Sequence, residues 1–417
     1  MIRLALVLLV FLSANQAFAS ASGYVTGRVT FYNEQIGYTN NPGPVDWYKS
    51  SEFQTPQPLR GVRVELRSHS FGTLLGYGHT DINGYYGISW WSAQTVTTGF
   101  IRIVWSDNGR LKVTTQAGVQ WYTDFGVEAL TNGTTAATPQ AWTHYQVGSP
   151  TVQFPWANIY DAAWRMWYYA LSYSGVVASN LFNKPIRWPS AQCPTSCGDA
   201  SGIHLDGGGN TPYASPWRTS HELGHVAQFL SAYQQTPNFC LKMAYPATSS
   251  GGAWNHTTPE WTCVGYQEGL ASFLATVSRH WYNSTLATEC QPSDMGTCIL
   301  DVESSAGPSC TSAGERRWPL TTQRFFWDVY DTQNDSEADT LAYGQIIINH
   351  GAFAPGLGNR KREEWNNGAG NLSGGQPVQT GLAAFDGASA GDWWQNYNTN
   401  FSVLLQSYAR NCNQQYD

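Results

Sequence analysis

The chain has 417 residues, which at about 150 residues per domain points to two or three domains. Hydrophobic residues make up 42% and charged residues only 12%, enough apolar material for a large core and too little charge for a disordered or coiled-coil chain. The 22 basic and 29 acidic residues give a net charge of −7 without a long basic run, which excludes a nucleic-acid partner, because neutralising phosphates takes clustered Lys and Arg.

The N-terminus reads as a secretory signal over residues 1–19. Arg3 supplies the positive start, Leu4 to Leu12 the apolar stretch, and Ala17-Phe18-Ala19 the cleavage site. That stretch is far short of the roughly 20 residues a membrane span needs, so the chain is expected to be secreted, extracellular or periplasmic, with no membrane partner. Export agrees with eight cysteines, an even count that predicts disulfides. Short separations favour Cys193–Cys197 and Cys290–Cys298, then Cys240–Cys263, which leaves Cys310–Cys412. The CxxC pairs of a zinc-thiolate site are absent.

Residues 20–130 read as an all-β sandwich. Tyr24 to Tyr32 and Gly61 to Arg67 alternate apolar and polar residues, and Phe100 to Trp105 continues the pattern. Asn83-Gly84 is a hairpin-turn signal with aromatic strand residues after it. Asn33 to Pro58, rich in Pro, Asn and Gly, reads as a long loop. Gly27 to Val29 (G-x-V), Gly61 to Leu66 (G-V-x-V-x-L) and Thr80 to Tyr86 (T-D-x-N-G-Y-Y) together resemble the carboxypeptidase-regulatory-like, transthyretin-like sandwich. The resemblance implies an accessory domain that carries no catalytic residues. Its long first loop departs from the usual form.

Residues 131–157 carry little pattern and are expected to link the two parts. From Asn158 the period changes: Ile159, Ala163, Trp164, Trp167, Tyr168 and Leu171 recur at helical spacing. Short extended segments follow at Pro185 to Trp188 and Ser201 to Leu205. Further helical patterns cover Thr219 to Tyr233, Pro259 to Tyr282, Thr321 to Asp331 and Trp393 to Tyr408. The expected fold is therefore multidomain, an N-terminal all-β sandwich followed by an α+β, mostly helical catalytic domain over residues 158–417.

The chemistry concentrates in S-H-E-L-G-H-V-A-Q-F, Ser220 to Phe229. His221 and His225 lie one helical turn apart, so both imidazoles leave one face and can grip one cation, with Glu222 beside the bound water. Ser220 or Thr219 would cap this helix, and Val226, Phe229 and Leu230 give it an apolar side. Histidine is scarce at nine copies, which makes a chance pairing, or two merely structural histidines, the poorer account. Zinc with neutral His ligands lowers the pKa of its water to about 7, and a neighbouring carboxylate can then take the proton.

A catalytic zinc takes three protein ligands and keeps one position open. Gln228 and Ser231 stand where a metzincin would continue with Gly and His, which excludes that class. Glu268-Gly269-x-Ala271 resembles instead the third-ligand helix of the gluzincin metallopeptidases, so the expected fold is zincin-like and Glu268 completes a His2Glu site. The gap between His225 and Glu268 is longer than in compact thermolysin-like members. A Cys240–Cys263 disulfide would tie the inserted loop, and His256 ranks below Glu268 as a rival ligand. The resemblance also implies an oxyanion donor after the third ligand, for which Tyr343 and His350 are the candidates, each with a structural role as the alternative. Asp328, Asp331 and Glu260 are candidate carboxylates behind the zinc-bound imidazoles, though Asp328 equally suits a pair with Arg324.

Gly202 to Leu205 is a candidate edge strand for an extended substrate, with His204 either facing the cleft or structural. Asp331 to Asp339 is a candidate calcium site. The function expected is a secreted zinc endopeptidase acting on protein or peptide substrates. The alternative is an exported carbohydrate- or surface-binding protein with a non-catalytic metal site, whose support is 19 Trp and pairs such as Trp90-Trp91 and Trp393-Trp394. Glycan contact through those aromatics is compatible with either reading. Amide hydrolysis on a non-peptide substrate also fits the zinc chemistry.

Overall fold

The computed structural model describes residues 20–32, 56–107, 111–147, 155–171, 184–193, 196–199, 201–206, 216–231, 262–280, 288–290, 298–301, 320 and 323. These fall into two compact units, the first drawn from Met1–Phe31, Pro56–Asp107 and Tyr122–Ser149, the second from the rest. The signal segment, the calcium stretch, the helical patterns at Thr321–Asp331 (apart from Gln323) and Trp393–Tyr408, and Cys240, Cys310 and Cys412 lie outside the described residues, as does the side chain of Cys263. Among the described residues, no helix is long and apolar enough to cross a membrane.

In the first unit, the strands are β1 (Ala21–Phe31), β2 (Gln57–Pro58), β3 (Arg63–Ser68), β4 (Leu74–His79), β5 (Tyr85–Ser92), β6 (Thr98–Val104) followed by the short β7 (Ser106–Asp107), β9 (Tyr122–Ala129), β10 (Gln140–Ala141) and β11 (Tyr145–Val147). Apart from β7, they form two sheets. In one, β1 pairs antiparallel with β5 and β2 and parallel with β10 and β11. The other has the antiparallel order β4-β3-β6-β9. The alternation legible in the sequence is the alternation of burial. Val25, Val29 and Phe31 on β1, Val64 and Leu66 on β3, and Ile101 and Ile103 on β6 all point into the core, joined by Trp90 and Trp105. β10 and β11 fall within residues 131–157, the stretch expected to link the two parts, and they pair with β1.

The Asn83-Gly84 turn forms, but the strands on either side of it do not pair with each other. The Asp81 carboxylate accepts the backbone N–H groups of Asn83 (2.8 Å) and Tyr85 (2.9 Å), and Gly84 takes a φ of 80°. The chain then passes from β4 in one sheet to β5 in the other. β4 nonetheless runs close to β5, because a Cβ on Gly78 would lie 2.6 Å from the Gly87 carbonyl and one on Gly76 would fall on the Ser89 carbonyl.

The second unit holds β8 (Leu111–Thr114), β12 (Pro185–Arg187), β13 (Cys197–Asp199) and β14 (Gly202–His204), in the order β13-β14-β12-β8. β8, β12 and β14 are parallel, and β13 is antiparallel on β14. Helix α1 (Pro155–Arg165), extended by a π-helical turn (Met166–Leu171), packs on β8 and on α2 (Pro216–Ser231). α2 in turn packs on α3 (Thr262–His280) and on β13. The Cys193–Cys197 disulfide is present, and in the hairpin of β15 (Thr288–Cys290) with β16 (Cys298–Asp301), Cys290 stands opposite Cys298.

This corrects the expected fold class. The described residues are mostly strand, with α1, α2 and α3 their only α-helices longer than a turn, and they do not form a mostly helical zincin-like domain. The sheet of the second unit was under-read because β12, β13 and β14 are three residues each, too short for a period-two pattern to show. The helical periods, by contrast, extend over many residues and dominate any sequence reading.

Candidate metal centre

Helix α2 begins at Pro216, a residue pre-set for the first helical turn. Thr219 and Ser220, expected as caps, are therefore inside the helix and buried. His221, Glu222 and His225 follow in its middle, all buried. α3 crosses α2 closely at Gly224, where a Cβ would lie 2.9 Å from the Ala271 Cα and 3.1 Å from its carbonyl oxygen. Gly224 thus sits inside the metal motif and three positions past Glu268 on the facing helix is its contact. The close approach lets a carboxylate from α3 reach imidazoles from α2. Gly224→Val is accordingly expected to force the helices apart, costing about 1–3 kcal/mol as an overpacked core does and weakening metal uptake with it; thermal melts with and without added zinc check both.

The two helices deliver three donors to one point. His221 Nε2 and His225 Nε2 are 3.1 Å apart, and Glu268 Oε2 is 3.0 Å from the first and 3.2 Å from the second. Tetrahedral zinc with bonds of about 2.1 Å needs donors about 3.4 Å apart, so an expansion of about 0.3 Å accommodates the ion. Hydrogen bonds serve this triangle less well. Both imidazoles can donate to the one Glu268 oxygen, but the two Nε2 atoms then face each other across 3.1 Å with no proton acceptor between them, whereas a cation answers all three lone pairs at once. The buried group His221, His225 and Glu268 could hold a metal ion.

The electrostatics are those of buried, coupled groups. Burial pushes the Glu222 carboxyl up to about 7, with the Glu268 charge adding to it, while His225, Arg218 and the backbone N–H of Gly198 pull the other way. Burial would also raise Glu268, but the neighbouring His225 and the hydrogen bonds of both imidazoles win and hold it at about 2. His225 is opposed by burial yet raised by Glu268. Glu268 is thus ionised and ligand-ready across the ordinary pH range, and Glu222 sits at the boundary between base and acid. Such a separation of two neighbouring carboxyls is what acid–base chemistry near neutrality uses.

Several neighbours of the site had not been singled out in the sequence. The Trp217 ring stacks on His221 with centroids 4.7 Å apart at 29°, one turn earlier on α2. Ser272, one turn after Glu268 on α3, places its Oγ 3.3 Å from His221 Nδ1. Helical spacing could have flagged both. Gly198, on the edge strand β13, donates its N–H to the Glu222 side chain and packs directly on the Glu222 main-chain carbonyl; no motif announces it. β14, the expected substrate edge, lies between β13 and β12 instead. Its His204 is buried, with Ser190 Oγ 3.0 Å from Nδ1 and Arg187 Nη1 3.2 Å from Nε2, so it is structural. Tyr343, His350, His256, Glu260, Arg324, Asp328 and Asp331 lie outside the described residues.

No protein-family model and no curated protein sequence matches the chain. Among solved structures it is similar to a 9R-lipoxygenase from Cyanothece PCC8801, at 13% identity and a TM-score of 0.17, over 35% of this chain and 22% of that one. The chain spans about a fifth of the lipoxygenase, and a likeness this slight carries no argument about fold or chemistry.

Proposed function

We propose that the chain is an exported zinc-dependent peptidase of the HExxH-plus-Glu type, cutting peptide bonds with a water molecule and Glu222 as general base. The convergence of His221, His225 and Glu268 with Glu222 in the same turn of α2 carries this reading. Two imidazoles and one carboxylate favour zinc over calcium or magnesium, which prefer all-oxygen sets. Zinc held there would supply an activated water and polarise the scissile carbonyl. Glu222 takes the proton of the attacking water and passes it to the leaving amine. The Gly198 N–H orients that carboxylate. Tyr343 and His350 stay the candidates for donors to the developing oxyanion.

The direct experiment measures zinc in the purified chain and its action on casein. One ion per chain and chelator-sensitive cleavage are expected. A chain that takes up zinc but cuts neither casein nor a peptide library removes the peptidase reading. A second reading, retention on a polysaccharide through the first unit, draws on exposed aromatics of its β1–β5 sheet. Trp91 is 61% and Tyr85 49% exposed, whereas Trp90 is core. Retention on a polysaccharide column by a chain without hydrolytic activity would favour it.

A further inference from the structure

We propose that Ser272 is the positioning residue of the metal centre, its hydroxyl accepting the Nδ1–H of His221 and so fixing the tautomer whose Nε2 lone pair faces the cation. This rests on the reading of His221, His225 and Glu268 as metal ligands. The geometry comes from one helix face. Glu268, Ser272 and Thr276 follow one another at single-turn spacing on α3, so the helix that delivers the carboxylate ligand also delivers the support for an imidazole ligand. Around them on the same helix, Leu270, Phe273, Leu274 and Val277 are all in the core. A hydroxyl in such a place costs stability unless it is hydrogen-bonded. Thr276 meets the requirement by donating to the Ser272 carbonyl (2.9 Å) and accepting from Gln323 Nε2 (3.1 Å). Ser272 meets it at His221 Nδ1, 3.3 Å away.

An imidazole that binds a metal through Nε2 carries its proton on Nδ1, and the partner of that proton sets both ring orientation and ligand basicity. Trp217 stacks on the face of the His221 ring, so its tilt is limited on one side while Ser272 fixes its rotation. The choice of a hydroxyl has a further consequence. A carboxylate in this place would add a negative charge, and with Glu268 it would cancel a divalent ion. A neutral hydroxyl leaves one net positive charge at the centre and keeps the ion a stronger electrophile.

The test uses the full chain, with zinc affinity read by competition against a chromophoric chelator and ligand geometry read from the visible spectrum of the cobalt-loaded protein. Ser272→Ala is expected to weaken zinc binding 10–100-fold, roughly the effect of losing such a supporting bond, and to shift the cobalt bands. Ser272→Thr keeps the hydroxyl and is expected to restore affinity to within about threefold, while Ser272→Asp is expected to bind about 10-fold more tightly than wild type. A merely structural serine would lower the melting temperature of the metal-free chain and leave affinity and spectrum alone, and that result overturns the proposal. Should Ser272→Ala fail to fold, Ser272→Asp decides: unchanged affinity and spectrum overturn the proposal, and tighter binding supports it. A wild-type chain that takes up no ion is a different failure, because it removes the metal reading beneath the proposal.

Discussion

Glu222→Gln is expected to abolish hydrolysis and, in the same molecule, to stabilise the metal-free fold above neutral pH. Loss of a positioned general base costs typically 10²–10⁴ in rate. The stability effect follows from burial. The Glu222 carboxyl is raised to about 7 from the ordinary 4.5 of a free carboxyl, so relative to the unfolded chain it favours the fold below about 4.5, and that contribution is lost as pH rises through 7. The difference corresponds to about 3 kcal/mol of strain borne by the folded chain at pH 8. A glutamine has the same shape, keeps an oxygen for the Gly198 N–H and never ionises. Chelator-treated Glu222→Gln should therefore melt higher than wild type at pH 8 and equal to it at pH 4. The gain should shrink when zinc is bound, because a nearby cation stabilises the carboxylate. Equal melting temperatures at pH 8 would mean that Glu222 is hydrated rather than buried.

Glu268→Ala is expected to erase the thermal stabilisation that zinc gives. An ion present at about a thousandfold excess over its Kd adds about 4 kcal/mol to the folded state. In a unit of this size each kcal/mol is worth roughly 2–4 °C, so wild type should gain about 8–16 °C on zinc loading. Without Glu268 the two remaining imidazoles form an incomplete set, and the gain should fall to a few degrees. The metal-free protein provides a control with its own sign. Glu268 is held at about 2, below the ordinary 4.5 of a free carboxyl, so its contribution is present above about 4.5 and fades as pH falls toward 2. Wild type should lose stability over that interval, and Glu268→Ala should lose less. Calorimetry with and without zinc across the two pH ranges reads both effects, and an undiminished zinc response in the variant would take Glu268 out of the ligand set.

Much of the site was legible because helices repeat locally. The one-turn spacing of His221 and His225 put both imidazoles on one face whatever the rest of the chain did, and the small residues around Glu268 marked a helix that packs tightly. The same local logic overreached elsewhere. Asn83-Gly84 made its turn, since Asp81 and a left-handed glycine are enough for one, but a turn does not choose which strands pair afterwards. Gly202 to His204 was readable as extended, yet its place inside the sheet depends on the parallel strand β12 on one side as well as on its hairpin partner β13 on the other, and the β12 pairing comes only through the fold.

The residues by themselves therefore determined which groups could do chemistry here and how the two histidines and Glu222 are spaced, because those relations run along a single helix. Tertiary structure decided what those groups face: the α2–α3 crossing at Gly224 and Ala271 that carries Glu268 to the imidazoles, the seat of Ser272 on His221, and the approach of Gly198 to Glu222. Contacts between segments distant in the chain depend on packing of whole elements, and no period within either segment encodes them.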